Sequence, residues 1–267
     1  MQRRHLLALL GTSLLARTGH TRTTPSSPAL PLGTAINRAG RLRALSQRVA
    51  KLHVQSALGV LPERASDLMR QCRQLIEGSM EELGRQPLNA DTQPLMPRLQ
   101  GHVDRLLVIT VGGGAAFRTD DVVRAADDML QSADALTTAF EKQARQNGAR
   151  VVNVAGRQRM LSQRAARAHF LQAAGGTAAA GQAQQLETAR REFDEGLGYL
   201  ASAPLSTPAI RQQLELARGQ WLFFDQALRR PGQGDALQTV ATTSERMYEV
   251  MDQLTGLYEQ AIQELYR

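Results

Sequence analysis

One phrase stands twice in this chain of 267 residues. Residues 36–59 read INRAGRLRALSQRVAKLHVQSALG, and residues 152–175 read VNVAGRQRMLSQRAARAHFLQAAG. At this offset of 116, Asn37 matches Asn153, Ala39 Ala155, Gly40 Gly156, Arg41 Arg157, Arg43 Arg159, Leu45 Leu161, Ser46 Ser162, Gln47 Gln163, Arg48 Arg164, Ala50 Ala166 and His53 His169. Chance does not produce so dense a match, and self-similarity at a fixed spacing marks one structural unit used more than once. Weaker echoes follow at nearby offsets. Leu99 and Leu107 fall against Leu214 and Leu222, and Met129, Asp134, Leu136, Phe140 and Glu141 fall against Met247, Asp252, Leu254, Tyr258 and Glu259. Two copies of one unit account for nearly everything after residue 29.

Each copy reads as helical. Apolar residues recur at spacings of three and four, strong helix formers dominate, and no stretch alternates as a strand would. Turn residues interrupt the pattern at Gly59 to Pro62, Gly84 to Pro97, Gly112 to Gly114, Asn147-Gly148, Gly175-Gly176, Ala203 to Pro208 and Pro231 to Gly234. Thr207 before Pro208 has the form of an N-cap followed by a first-turn proline. Four helices per copy with short connections specify an antiparallel bundle. The expected architecture is all-α: two tandem antiparallel four-helix bundles, over 30–147 and 148–267, packed as a pseudo-dimer within one monomeric chain.

The first 29 residues read differently. Arg3 and Arg4 precede an apolar run from Leu6 to Ala16, and a stretch rich in Thr, Ser and Pro follows. That order is a secretory signal's, and the apolar run is shorter than the roughly 20 residues of a spanning helix. The expected location is therefore periplasmic, by the general secretory route or, given the paired arginines, the twin-arginine route. Removing this segment takes four arginines and no acid, so the formal charge falls from +7 to +3. The high pI of the whole chain then carries little weight as a sign of nucleic acid, for which a docking motif and stacking aromatics are also wanting.

Turning the repeated helix by about 100° per residue gathers Leu42, Leu45, Val49 and Leu52 on one stripe. Almost opposite lie Ala39, Gly40, Arg43, Gln47 and Ala50, with Ala155, Gly156, Arg159, Gln163 and Ala166 as their counterparts. Small residues on that face let a second helix come close. An arginine held there needs an anionic partner, because a buried unpaired charge is costly. No Asp or Glu shares the face in either copy, so two copies packed about a pseudo-twofold axis would bring Arg43 and Arg159 together on one small planar oxyanion. Periodicity alone equally allows Arg43 and Arg159 to be solvated. Arg41, Arg48, Arg157 and Arg164, farther round the helix, are expected on a solvated polar face. His53 and His169 are expected at the edge of the core.

No nucleophile elbow, phosphate loop, metal-ligand cluster or triad is present, so the expectation is a non-enzyme without cofactor or metal. Asp120-Asp121 and Asp127-Asp128 read as helix-start and solvated-face charges. Trp221, Phe223 and Phe224 read as core, and the one cysteine, Cys72, as a small buried residue.

INRAGRLRALSQR (36–48) and VNVAGRQRMLSQR (152–164) resemble the periplasmic sensory module of nitrate/nitrite (NarX-like) sensor kinases, which also forms the N-terminus of PilJ-type, type IV pili methyl-accepting chemotaxis transducers. The resemblance implies a four-helix bundle that dimerises through its first helices. In nitrate-sensing members it also implies one nitrate or nitrite held at the symmetric interface by an arginine from each side, beside the Ala-Gly step. The matching residues are Arg43, Arg159, Gly40 and Gly156. Transmembrane helices and a signalling output are expected to be lacking here, so a signal would pass through a partner: a membrane sensor, a transporter or chemotaxis machinery. The duplication then looks like an obligate dimer joined into one chain. A second reading is a ligand-free helical module that docks on a membrane receptor or on type IV pilus machinery.

Overall fold

The computed structural model describes residues 30–111, 118–144, 147–230, 232 and 234–265. They form eight long helices in chain order: α1 Leu32–Ala57, α2 Pro62–Gly84, α3 Leu95–Val111, α4 Thr119–Ala144, α5 Asn147–Ala174, α6 Gln182–Ser202, α7 Pro208–Leu228 and α8 Asp235–Leu265, with a single 3-10 turn at Thr177–Ala179. No strand occurs among the described residues. The fold is all-α, as the periodicity requires. Gly112 to Gly114 lie outside the described residues, as do the two residues between α4 and α5.

Local chemistry sets the helix ends. α1 stops where Gly59 takes φ 70°, Leu58 N–H donates to the Val54 carbonyl at 3.0 Å and Val60 N–H donates to the Gln55 carbonyl at 3.0 Å. Pro62 then opens α2 in the first-turn position where its missing N–H costs nothing. Thr207 caps α7, its hydroxyl accepting from the Ile210 N–H at 3.2 Å. Asp120 and Asp121 occupy the first turn of α4, where carboxylates favour the helix dipole. Pro97 sits within the opening turn of α3 rather than in the preceding connection.

α1 packs on α2 and α4 in its own repeat, α5 packs on α6 and α8 in its own, and α1 and α5 pack extensively on each other. α3 lies on α4 and α7 on α8, while α2 with α3 and α6 with α7 barely touch. The two repeated helices therefore stand at the centre of the molecule. Nineteen of the 26 residues of α1 are buried, so its leucine stripe and its small-residue face are both covered. Leu42, Leu45 and Leu52 face the bundle core with no exposure, while Ala39 and Ala50, also with none, belong to the opposite face.

One expectation about apolar residues needs correction. Trp221 and Phe224 are core, with Trp221 stacked on Phe193 at a centroid distance of 4.1 Å, but Phe223 is 63% exposed, turned one helical step away from its neighbours. Leu107 is partly buried whereas Leu222, set against it by the sequence echo, is exposed.

Candidate functional site at the seam between the repeats

The repeated phrase places Arg43 and Arg159 at the α1–α5 contact, 1% and 0% exposed. A Cβ on Gly40 would lie 3.1 Å from Arg43 Nη2 and 3.8 Å from Arg159 Nη2, and one on Gly156 would lie 3.2 Å from Arg159 Nη2 and 3.7 Å from Arg43 Nη2. The four residues singled out by the sequence are thus one cluster. Both guanidinium groups end over the same pair of glycines, and the missing side chains are the space they occupy.

The charge at this seam is not left bare, which corrects the inference drawn from the helical wheel. Carboxylates absent from the faces of α1 and α5 arrive from the last helix of each bundle. Arg43 Nη1 donates to Asp134 on α4 at 2.7 Å, and Arg159 Nη1 donates to Asp252 on α8. Each arginine then reaches across the seam. Arg43 Nη2 donates to Asn153 Oδ1 at 2.6 Å and Arg159 Nη2 to Asn37 Oδ1 at 2.7 Å. The asparagine amides are held in turn, Asn37 by Glu259 at 2.5 Å and Asn153 by Glu141. The arrangement repeats almost atom for atom under the pseudo-twofold.

The electrostatics follow from burial first. Burial pushes the Arg43 guanidinium below its ordinary value, against the pull of Asp134, and nearby Arg157 and Arg159 push the same way. Burial also disfavours the charge of Asp252, yet Arg159 and Arg41 outweigh it and hold that carboxyl below the usual range. Each guanidinium keeps one buried Nε–H with no partner. The two aspartates remain partly open to water, with side-chain exposures of 46% for Asp134 and 33% for Asp252.

Further along the seam, a second pair of clusters crosses between repeats. Arg48 donates through Nε to both oxygens of Glu245, at 3.2 and 3.0 Å, and Lys51 Nζ pairs with the same carboxylate. Burial would raise the Glu245 carboxyl, but Lys51 and Arg48 together bring it down to about 2. Lys51, wholly buried, is pushed below its ordinary value by that burial even so. At the matching place Arg167 donates to Asp127 at 2.6 Å, and Gln47 donates to Asp127 at 3.1 Å. Arg48, expected on a solvated face, is therefore 5% exposed and paired, and Asp127 is a partner across the seam rather than a surface charge. Arg41, Arg157 and Arg164 are partly buried. Cys72 is buried, and burial chiefly raises its thiol to about 11 although Arg48 lies close by.

Asn37, Asn153, Asp134, Asp252, Glu141 and Glu259 were visible as repeated positions but carried no assigned part. Their signal was the echo itself: acids that recur in the last helix of each unit, at the spacing that faces the repeated arginines. Among the described residues no group of three or more His, Cys, Asp or Glu could hold a metal ion.

The family described as Type IV pili methyl-accepting chemotaxis transducer N-term, PilJ, matches residues 27–109 and 142–247. The chain belongs to the PilJ family. The match comes in two parts, one over each repeat, and each part contains one copy of the arginine phrase. Family membership makes this chain a sensory or signalling module of the kind found in chemotaxis transducers. No curated protein and no solved structure matches it. No helix among the described residues is long and apolar enough to cross a membrane.

Proposed function

We propose that this PilJ-family chain is an exported, periplasmic binding protein that senses a small oxyanion, nitrate or nitrite, at the Arg43–Arg159 seam and passes the signal to a membrane-bound or chemotaxis partner. The observation that carries this reading is the convergence of two buried guanidiniums on Gly40 and Gly156, each with an unpartnered Nε–H. A planar oxyanion offers acceptors that match two guanidinium forks. Because Asp134 and Asp252 already neutralise the arginines, the anion must compete with them. Both carboxylates can turn outward into water, and their departure loosens α4 from α1 and α8 from α5. The ligand thus changes helix packing in both bundles at once, by its differential affinity for the two arrangements. The role is one of binding and signalling, without catalysis or cofactor.

The ion pairs of Arg43 with Asp134 and of Arg159 with Asp252 favour a second reading, in which the seam is a ligand-free lock and the protein acts as a helical docking module. Calorimetric titration of the purified chain with nitrate and nitrite separates the two. Saturable binding that is lost in Arg43→Ala with Arg159→Ala, and strengthened by Asp134→Asn with Asp252→Asn, supports the sensor. No heat from either anion, together with plain destabilisation by the Asp→Asn pair, supports the lock and ends the sensor reading.

A further inference from the structure

At the end of the second bundle remote from the first turn of α5, a cleft of about 690 Å³ opens between the close of α5, the start of α6 and the close of α7. That volume is in the range of small-molecule sites. His169 lines it, is 5% exposed, and has a buried Nε2 with no hydrogen-bond partner. Burial lowers the imidazole's pKa, against the pull of the Leu228 backbone, so the ring is neutral at pH 7, and in the tautomer protonated on Nδ1 its Nε2 is an open acceptor. Gly232 closes over the site, where a Cβ would stand 3.6 Å from His169 Nε2.

The remainder of the lining divides by chemistry. Leu186 and Leu228 are apolar and buried. Three guanidiniums border the cleft, from Arg190, Arg229 and Arg230. Arg190 is fixed by Asp225 at 2.6 Å and by Glu187 at 2.5 Å, and Arg229 shares Asp225 at 2.8 Å. Three cations therefore stand against two carboxylates, and the excess faces an opening with an unused acceptor at its back. The first repeat opens a cleft of about 590 Å³ beside the matched histidine, His53. Duplication has kept an opening next to this histidine in both units while the lining has diverged.

We propose that the cleft at His169 binds a small organic carboxylate carrying a hydroxyl or N–H donor beside the acid group. The carboxylate sits on Arg229 and Arg230, the donor faces His169 Nε2, and the carbon skeleton lies on Leu186 and Leu228. The site is independent of the arginine seam.

The test uses the full chain with labelled histidine, its imidazole signals followed by NMR. Lactate, glycolate and malate supply the carboxylate and the donor, and propionate supplies the carboxylate alone. Saturable movement of the His169 signal, assigned with His169→Gln, is expected from at least one hydroxy acid. Propionate should bind at least tenfold more weakly. Arg229→Ala with Arg230→Ala, both exposed, should weaken binding at least tenfold without lowering Tm, and the Asp134→Asn, Asp252→Asn protein should bind as the unaltered chain does. The proposal is overturned if none of the three acids moves the His169 signal saturably, if propionate binds equally well, or if the double arginine variant is unaffected.

Discussion

Arg43 on α1 donates to Asn153 on α5 at 2.6 Å, and Asn153 in turn is held by Glu141 from the helix that precedes it. The same three-member chain runs the other way through Arg159, Asn37 and Glu259. Each repeat thus completes the hydrogen bonding of the other. This reciprocity makes the asparagines the most direct probes of the seam. Asn153→Ala leaves Arg43 Nη2 only the long 3.4 Å bond to the residue 153 carbonyl and Glu141 without its amide partner, and should cost about 1–3 kcal/mol, since a poorly satisfied buried donor carries most of its desolvation penalty. Asn37→Ala should cost the same to within about 1 kcal/mol. Urea denaturation of the two variants measures both, and a large inequality contradicts the pseudo-twofold equivalence of the network.

Glu245 predicts an acid limit. Its carboxyl lies at about 2 in the fold against an ordinary 4.5, so its contribution to stability is complete above pH 4.5 and is lost as pH falls towards 2. Glu245→Gln should flatten that part of the curve of Tm against pH. At neutral pH the same change leaves Arg48 and Lys51 facing each other without a counter-ion and should cost about 3–5 kcal/mol. Equal acid dependence in both proteins would remove Glu245 from the account.

Gly196 on α6 predicts a steric conflict with a cure. A Cβ there would stand 1.9 Å from Gln158 Nε2, the end of a side chain that is 1% exposed. Gly196→Ala should lower stability by about 1–3 kcal/mol through overpacking, although alanine is the better helix former by about 1 kcal/mol. Adding Gln158→Ala should return most of the loss. Thermal unfolding of the single and double variants decides the matter, and additive losses would show that the two residues do not meet.

Cys72 should be silent. The thiol is buried and raised to about 11, so at pH 8 almost none of it is thiolate in the fold. Its reaction with an aromatic disulfide reagent should follow the unfolding transition in urea, with no modification beforehand. Prompt reaction in native buffer would mean that α2 opens away from α1.

The fold was legible because the duplicated phrase fixed the length of the unit and helical periodicity fixed its class. The site was legible in part. Arg43, Arg159, Gly40 and Gly156 could be brought together from the face they share, since a helix determines the spacing of its own residues. Asp134 and Asp252 could not be read from that face, because they approach from helices whose rotation depends on packing with α1 and α5. The same limit explains Arg48, which a wheel drawn for one helix places at the edge and which α8 covers with Glu245. Phe223 erred in the other direction: apolar character argues for burial, but its angular position on α7 sets it outside.

The α1–α5 seam has a consequence for how the protein can change. In a dimer of identical chains every substitution appears twice and must suit both sides of the axis. Joined in one polypeptide, the halves have already parted company: Lys51 stands where Arg167 stands opposite, Glu245 where Asp127 does, and the clefts beside His53 and His169 have unlike walls. A joined pair can therefore present two different ends to two different neighbours while sharing one centre, an asymmetry that a homodimer cannot encode.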